Sequence, residues 1–492
     1  MHKFLSSLPM SRLLAAPAAI VALLVLLAMV PQAAATSTSA IIDNLVAETG
    51  VPLSRDEQRV LEKGVDLLEK HYLRAIDVEA LLGEVFTGLR EHDKAEAERT
   101  EPAVGDDEPL TRVALALNGA LQTLDAHTAY LTPEAEIDMR VRISGEFGGL
   151  GLEVTMEDGL VKVVSPIDDT PAERAGMQPG DLISRVDGES IKGMTLRQAV
   201  TRMRGLAGTD IRLTVRRQEV ADEFDVTITR DRIRIRPVKA RAEGSIGYVR
   251  ISSFNQQADM ALKAAVEQLE AEQNGGLRGL VIDLRNNPGG VLSQAVQVAD
   301  EFLDNGDIVS VRGRYREDAR YTAGLGDLMR GKQIVVLINS GSASASEIVA
   351  GALKDHRRAT LMGSRSFGKG SVQTILPMGR SYGALRLTTQ LYYMPNGYTI
   401  QAHGVVPDLY VEIERPDDEI AAPRREEDLD NALKGEDENG DTASSLPKLS
   451  GKRCQEILPE KQEDQMLACA IAYLRLGGFE QLATTTAVPV AQ

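Results

Sequence analysis

An α/β fold carrying an inserted β-rich module, with helical segments towards both ends, is predicted by three observations. Strands and helices alternate from Gly247 to Leu353, the pattern of a largely parallel sheet. Short β-rich runs joined by Asp-Gly turns fill Gly145 to Arg230. Apolar residues recur at helical spacing ahead of that stretch and again near the carboxyl terminus. The length of 492 residues is enough for about three domains, each able to bury its own core. A formal charge of −17, with 8 Phe, 11 Tyr and no Trp, supplies neither the basic footprint nor the stacking rings that nucleic-acid binding needs.

The first 35 residues read as a cleaved secretory signal peptide, placing the mature chain in the periplasm or cell envelope. Lys3 and Arg12 make a basic start, Ala18 to Val30 is an unbroken apolar run, and Ala33-Ala34-Ala35 offers small residues for cleavage before Thr36. The alternative, a retained anchor, is disfavoured because the run falls short of the ~20 residues that span a bilayer.

Helical spacing follows from Asp56 to Arg90, carried by Val60, Leu61, Val65, Leu68 and Tyr72, then Leu81, Leu82, Val85, Phe86 and Leu89. Glu91 to Pro109 is charged and broken by Glu-Pro pairs, so an exposed loop is expected before a helix over Arg112 to Leu124. In the β-rich module, Leu150 to Met156 and Leu160 to Ser165 form a hairpin through Asp158-Gly159. Asp181 to Val186, Ile211 to Arg216 and Phe224 to Thr229 add strands, and Leu196 to Arg204 a helix. In the α/β part, strands over Gly247 to Ile251, Gly279 to Asp283 and Ile334 to Asn339 alternate with helices over Asp259 to Gln273, Ser293 to Leu303 and Glu347 to Leu353. Glu414 to Asp441 holds 12 carboxylates against 4 basic residues and reads as a solvated linker. Beyond it, Cys454 and Cys469 lie on two helical faces either side of Pro459. A disulfide-clipped hairpin and two buried thiols both fit that spacing. The resulting division is 1–35 leader, 36–140 helical region, 141–231 β-rich module, 232–413 α/β domain, 414–448 acidic linker and 449–492 helical segment.

Chemistry concentrates at three turns of the α/β part. Asn339-Ser-Gly-Ser-Ala-Ser-Ala-Ser-Glu347 runs from a strand into a helix, exposing hydroxyls beside unpaired helix N–H groups that can hold a developing oxyanion. Ser344 and Glu347 also have the spacing of an ordinary capping box, the plainer explanation of the same residues. Gly363-Ser-Arg-Ser-Phe-Gly-Lys369-Gly-Ser-Val-Gln373 sets one lysine between glycines. It imitates a phosphate loop, but Gly370 stands where a Mg²⁺-binding hydroxyl is required and a strand follows instead of a helix. A lysine serves a serine nucleophile only when neutral, so its pKa must fall from ~10.4 by burial. The competing bases are His127, His356 and His403; His356 lies more than two helical turns from Ser344. Asp283-Leu-Arg-Asn-Asn-Pro-Gly-Gly290 follows another strand and can present backbone N–H groups.

Together these turns resemble the carboxyl-terminal processing peptidases, or tail-specific proteases. The matching pieces also include Leu124-Asp-Ala-His-Thr-Ala-Tyr-Leu131, Gly145-Glu-Phe-Gly-Gly-Leu-Gly-Leu-Glu-Val154, Gly176-Met-Gln-Pro-Gly-Asp181 and Gly404-Val-Val-Pro-Asp408, in order over roughly Asp56 to Glu412. The resemblance implies a crotonase-like α/β peptidase domain with an inserted PDZ domain. It implies Ser344 as nucleophile, Lys369 as general base and Gln373 as the residue orienting it, with oxyanion donors at Ala345 and at Gly289 or Gly290. Asp355 takes a supporting position. Gly149, Leu150, Gly151 and Leu152 match the loop that captures a peptide carboxylate, and Arg204 matches a residue that couples the PDZ domain to the active site. Protein substrates with apolar C-termini, an adaptor or activator protein and self-association follow as expected partners, with no nucleic acid and no metal or organic cofactor. Ala126 departs from the family's usual proline. The rival reading, a catalytically silent PDZ scaffold, would show a lost Ser344 or Lys369, and both are present.

Overall fold

The computed structural model describes residues 37–98, 110–218, 220–273, 276–314, 318–414, 424–435, 446–458, 460 and 462–484. The leader lies outside the described residues, among which no helix is long and apolar enough to cross a membrane.

A seven-stranded sheet organises the α/β part, in the order Val238–Glu243, Ile246–Ile251, Gly279–Asp283, Gln333–Ile338, Thr360–Gly363, Leu409–Glu412 and Lys448–Ser450. Every pairing after the first is parallel. Parallel strands bury both faces, which explains why Ile334 to Ile338 is an unbroken apolar run. Ile334, Val336 and Ile338 pack towards the helices Ala258–Glu272, Leu292–Asp300 and Ala345–Asp355. Val335 and Leu337 pack the other way, against Leu467, Ala470 and Ile471 of the helix Gln465–Leu476. That helix is clipped to Gly451–Ile457 by a Cys454–Cys469 disulfide, so of the two readings of these cysteines the structure has the bonded one.

A second sheet has Gly383–Tyr393 at its centre, flanked by Ala129–Leu131, Asp307–Gly313 and Ser371–Gly379. The amino-terminal helices Arg55–His71 and Val78–Ala97 bury Leu61, Leu68, Leu82 and Phe86 in one core with Met378, Leu385 and Leu387 of this sheet. The helical region therefore shares its core with the α/β part rather than standing alone.

Leu152–Glu157, Leu160–Pro166, Leu182–Val186, Asp210–Arg216 and Phe224–Thr229 form the module's sheet in that order around Val161, Val163, Ile183, Leu213 and Val215, with the short strand Glu189–Ser190 paired to Leu182–Val186. Leu152–Glu157 is an edge strand. A two-stranded ribbon, Glu146–Gly149 with Asp231–Arg234, joins the module to the rest.

Two expectations need correction. The loop expected from Glu91 is helical as far as Ala97, because Asp93 takes both Arg112 nitrogens at 2.6 Å and the remaining charges cover a solvated helix face. The acidic stretch is not a solvated linker throughout: Glu426 is fully buried, Leu433 packs on Leu391 and Tyr393, and Lys448–Ser450 adds a sheet strand. The charge count there concealed one buried carboxylate and one apolar anchor, Leu433.

Candidate active site

Three neighbouring strands, Gly279–Asp283, Gln333–Ile338 and Thr360–Gly363, end at the same edge of the parallel sheet, where ligands of such folds gather. Their carboxyl ends feed the three turns singled out above, so turns at 283–290, 339–347 and 363–373 meet.

The serine turn at 339–347 separates three of its serines by burial. Ser342 is fully buried and donates to the Leu284 carbonyl oxygen at 2.8 Å; Ser346, also fully buried, donates to the Asn287 carbonyl oxygen at 2.9 Å. These two hydroxyls staple the turn to the Asp283–Gly290 loop. Ser344 between them is partly exposed and held at φ 56°, ψ −115°, a left-handed conformation that a non-glycine residue adopts at a cost of about 1–3 kcal/mol. Strain of this kind is kept where the surroundings over-determine it, and here they do.

The determinant is Glu347, which sequence spacing presents as a cap. It is completely buried, and its carboxylate accepts from the N–H groups of Ser344 (2.6 Å), Gly368 (2.7 Å) and Lys369 (3.0 Å) and from the Ser366 hydroxyl. One side chain thus ties the serine turn to the lysine loop. Burial pushes its carboxyl up to about 7, although the four donors hold it down. Tyr392 adds a second tie, its Oη lying between the carbonyl oxygens of Ser344, at 3.3 Å, and Lys369.

Lys369 is drawn down to about 8, first by burial and then by the nearby Arg386 guanidinium, against the pull of Glu426, Asp125 and Glu347. A lysine brought to that range exchanges protons near neutral pH. Gln373 lies on the strand after the loop, where its Nε2 donates to Ser371 Oγ at 3.0 Å and to Thr388 Oγ1 at 3.3 Å. Thr388 in turn donates to Asp125, a fully buried carboxylate that also accepts from Tyr72, Thr128 and the His127 N–H. This network is the structural content of the Leu124–Leu131 segment, and through Tyr72 it brings the end of the amino-terminal helix Arg55–His71 to within three hydrogen bonds of Gln373.

The Asp283–Gly290 loop distinguishes its two glycines. Gly289 N–H donates to Asn287 Oδ1 at 2.9 Å, whereas Gly290 N–H meets no acceptor among the described residues. Gly289 is needed for proximity: a Cβ there would lie 2.7 Å from the Ala343 carbonyl oxygen and 2.9 Å from Ala345 N, closer than packed atoms allow. Ala345 opens the helix Ala345–Asp355, and its N–H is one of the unpaired first-turn donors.

Two of the three candidate histidines are engaged elsewhere, while His403 Nε2 is buried with no hydrogen-bond partner among the described residues. His356 Nε2 lies 2.7 Å from the Asp307 carbonyl oxygen, and His127 Nε2 is 2.9 Å from both oxygens of Glu426. Asp355 holds the turn at Asn396 through that residue's side-chain amide at 3.1 Å. Among the described residues no cluster of His, Cys, Asp and Glu has the makings of a metal site.

In the module, Gly149 to Leu152 runs past the short helix Pro171–Arg174, with the Leu150 carbonyl oxygen accepting from Ala172 N–H at 2.8 Å and Gly151 at φ 79°. The edge strand Leu152–Glu157 and the helix Leu196–Met203 contribute partly buried Leu152, Val154, Leu196 and Val200. Arg204 caps that helix, donates to Asp138 at 2.7 Å and stacks 5.0 Å from the Phe147 ring centroid. Asp138 belongs to the helix Pro133–Ser144, which packs on the central Gly383–Tyr393 strand. Arg204 thus touches the element between the module and the second sheet.

Comparisons with known proteins give the family. Residues 245–411 match peptidase family S41 and residues 162–217 match the PDZ domain. A carboxy-terminal-processing protease of Bartonella bacilliformis is 54% identical over 316 residues, covering 64% of this chain and 72% of the relative. A probable CtpA-like serine protease of Staphylococcus aureus is 37% identical over 310 residues, covering 62% of this chain and 61% of that one. Among solved structures, the photosystem II D1 C-terminal processing protease is 29% identical, covering 72% of this chain and 93% of that one with a TM-score of 0.40. With a match to peptidase family S41 and one to the PDZ domain, the chain belongs to the carboxy-terminal-processing proteases of peptidase family S41, serine-type enzymes that carry a PDZ domain.

Proposed function

We propose that this chain is an exported endopeptidase that captures protein C-termini on its PDZ domain and cleaves peptide bonds through an acyl-enzyme formed on Ser344 with Lys369 as base. One observation carries the reading: of three clustered serines only Ser344 has a hydroxyl not spent on a backbone carbonyl, and the carboxylate that fixes its turn also fixes the loop of a buried lysine. Lys369 Nζ takes the Ser344 proton as Oγ attacks the scissile carbonyl carbon. The resulting oxyanion faces the N–H groups of Ala345 and Gly290. The C–N bond then breaks, the Lys369 ammonium returns its proton to the leaving amine, and water activated by the same lysine hydrolyses the ester to release the acyl group as a carboxylate. Gln373, through its anchor on Ser371 and Thr388, is the residue that orients the lysine. A silent scaffold would have no use for a strained serine beside a lysine with a lowered pKa.

A peptide tail would add as a strand to the Leu152–Glu157 edge, its carboxylate on the Gly149–Leu152 loop and its apolar side chains against Val154, Leu196 and Val200. Arg204 would report that occupancy to the Pro133–Ser144 helix. Export is supported by the Cys454–Cys469 disulfide, a bond that persists in oxidising compartments. Steady-state cleavage of an unstructured protein with an apolar C-terminus tests the capture step. Val200→Asp is expected to raise KM about tenfold, or ~1.4 kcal/mol, at nearly constant kcat. Equal KM values for Val200→Asp and wild type would refute recognition in this groove.

A further inference from the structure

The stretch 424–435 returns from the acidic segment to lie directly over the lysine loop. Arg425 Nη1 donates to the carbonyl oxygens of Arg365 (3.0 Å) and Ser366 (2.6 Å), Glu426 N–H donates to that of Phe367 (3.1 Å), and Glu427 pairs with the Arg365 guanidinium at 3.2 Å. The loop is therefore bound on its amino-terminal side. Its carboxyl-terminal side is bound through Gln401, whose Oε1 accepts from Gly370 N–H at 2.8 Å while its Nε2 donates to Glu426 at 2.9 Å and to the Leu433 carbonyl oxygen at 3.0 Å. Glu426 reaches the opposite wall at His127, and Asn431 Nδ2 donates to the Gln122 carbonyl oxygen at 3.1 Å. Leu433 closes the strap against Leu391 and Tyr393.

A carboxylate that is fully buried and held by a histidine and a glutamine is costly unless the geometry it enforces is needed. Through the Glu426 N–H on Phe367 and through Gln401 on Gly370 its contacts reach residues either side of Lys369, and hydrogen bonds restraining both flanks of a loop fix the side chain between them. We infer that the strap 424–435 is part of the catalytic apparatus, with Glu426 and His127 acting as positioning residues that lock the Lys369 loop in place. This rests on Lys369 being the general base. The strap also carries an electrostatic consequence. Lys369 is faced by Arg386 on the second sheet, Asp125 on the amino-terminal segment, Glu347 on the nucleophile helix and Glu426 on the strap. Of these, Glu426 is the charge that the strap itself brings.

The test compares wild type, Glu426→Ala, Glu426→Gln and Lys369→Ala in the full chain, with thermal unfolding measured on each. Glu426→Ala is expected to lower kcat about tenfold or more at nearly constant KM, because the base is misplaced while the peptide groove is untouched. Glu426→Gln keeps the length and one acceptor. It is expected to restore kcat to within about threefold and to move the acid limb of the pH profile to lower pH, since the carboxylate that favours the lysinium is gone. A purely structural strap would lower the unfolding midpoint without moving that limb. If Lys369→Ala is inert while both Glu426 variants match wild type in kcat and in limb position, the strap inference is overturned and the base assignment stands. If Lys369→Ala stays fully active, the base assignment falls and the strap's role falls with it.

Discussion

Ser344→Ala is expected to lower kcat by about 10⁴-fold or more while leaving the unfolding midpoint unchanged or higher, because the substitution deletes the attacking oxygen and nothing that holds the turn. Ser342→Ala and Ser346→Ala make the contrast. Each loses a buried hydroxyl that staples the serine turn to the Asp283–Gly290 loop, that of Ser342 also accepting from the Asn339 N–H, so each should cost about 1–3 kcal/mol of stability while keeping turnover within about tenfold. Three serines two residues apart thus have opposite signatures. A peptidase assay paired with urea unfolding separates them, and an Ser342→Ala or Ser346→Ala variant as inert as Ser344→Ala would contradict the assignment.

Glu347→Ala has the second largest expected effect, and it falls on stability and activity together. Removing the carboxylate strands four donors in the interior, the N–H groups of Ser344, Gly368 and Lys369 and the Ser366 hydroxyl. An unpaired buried donor costs about 1–3 kcal/mol, so even with partial relaxation the loss should exceed about 3 kcal/mol. Glu347→Gln offers one acceptor oxygen in place of two and turns an amide towards donors, so it should recover only part of that stability. Both variants should lose turnover, since the buried carboxylate that fixes both the serine turn and the lysine loop is gone. A urea midpoint for Glu347→Ala equal to that of wild type would contradict the clamp.

Much of this was legible from residues and spacing, and the remainder has identifiable physical reasons. The strand-to-helix turn at Asn339–Glu347 and the glycine-flanked Lys369 are local patterns, and the parallel-sheet topology brings them together. Glu347 was legible only as a cap, because three of its four donors are local to a loop some 20 residues downstream and no spacing rule reaches that far. The choice among Ser342, Ser344 and Ser346 came from resemblance at the sequence level; burial gives the physical reason. Gly289 and Gly290 were indistinguishable until the Asn287 side chain was seen to take one of the two N–H groups. The acidic stretch misled because charge averages over a window, and a single buried Glu426 among solvated neighbours leaves the average unchanged. The strand Ala129–Leu131 was hidden in a helical region, since three residues give no periodicity and its partner lies at Ala384 to Arg386.

The central claim is that a lysine whose pKa is lowered by burial activates Ser344, and the pH dependence of kcat/KM tests it most directly. With Lys369 drawn to about 8, its neutral, working form predominates above that value and is lost as pH falls. Roughly a tenth of the enzyme would be competent at pH 7 and about a hundredth at pH 6. For a substrate with no group titrating in the range, the account predicts an acid limb of unit slope with a midpoint near pH 8. A kcat/KM that stays flat from about pH 9 down to pH 5 would contradict it.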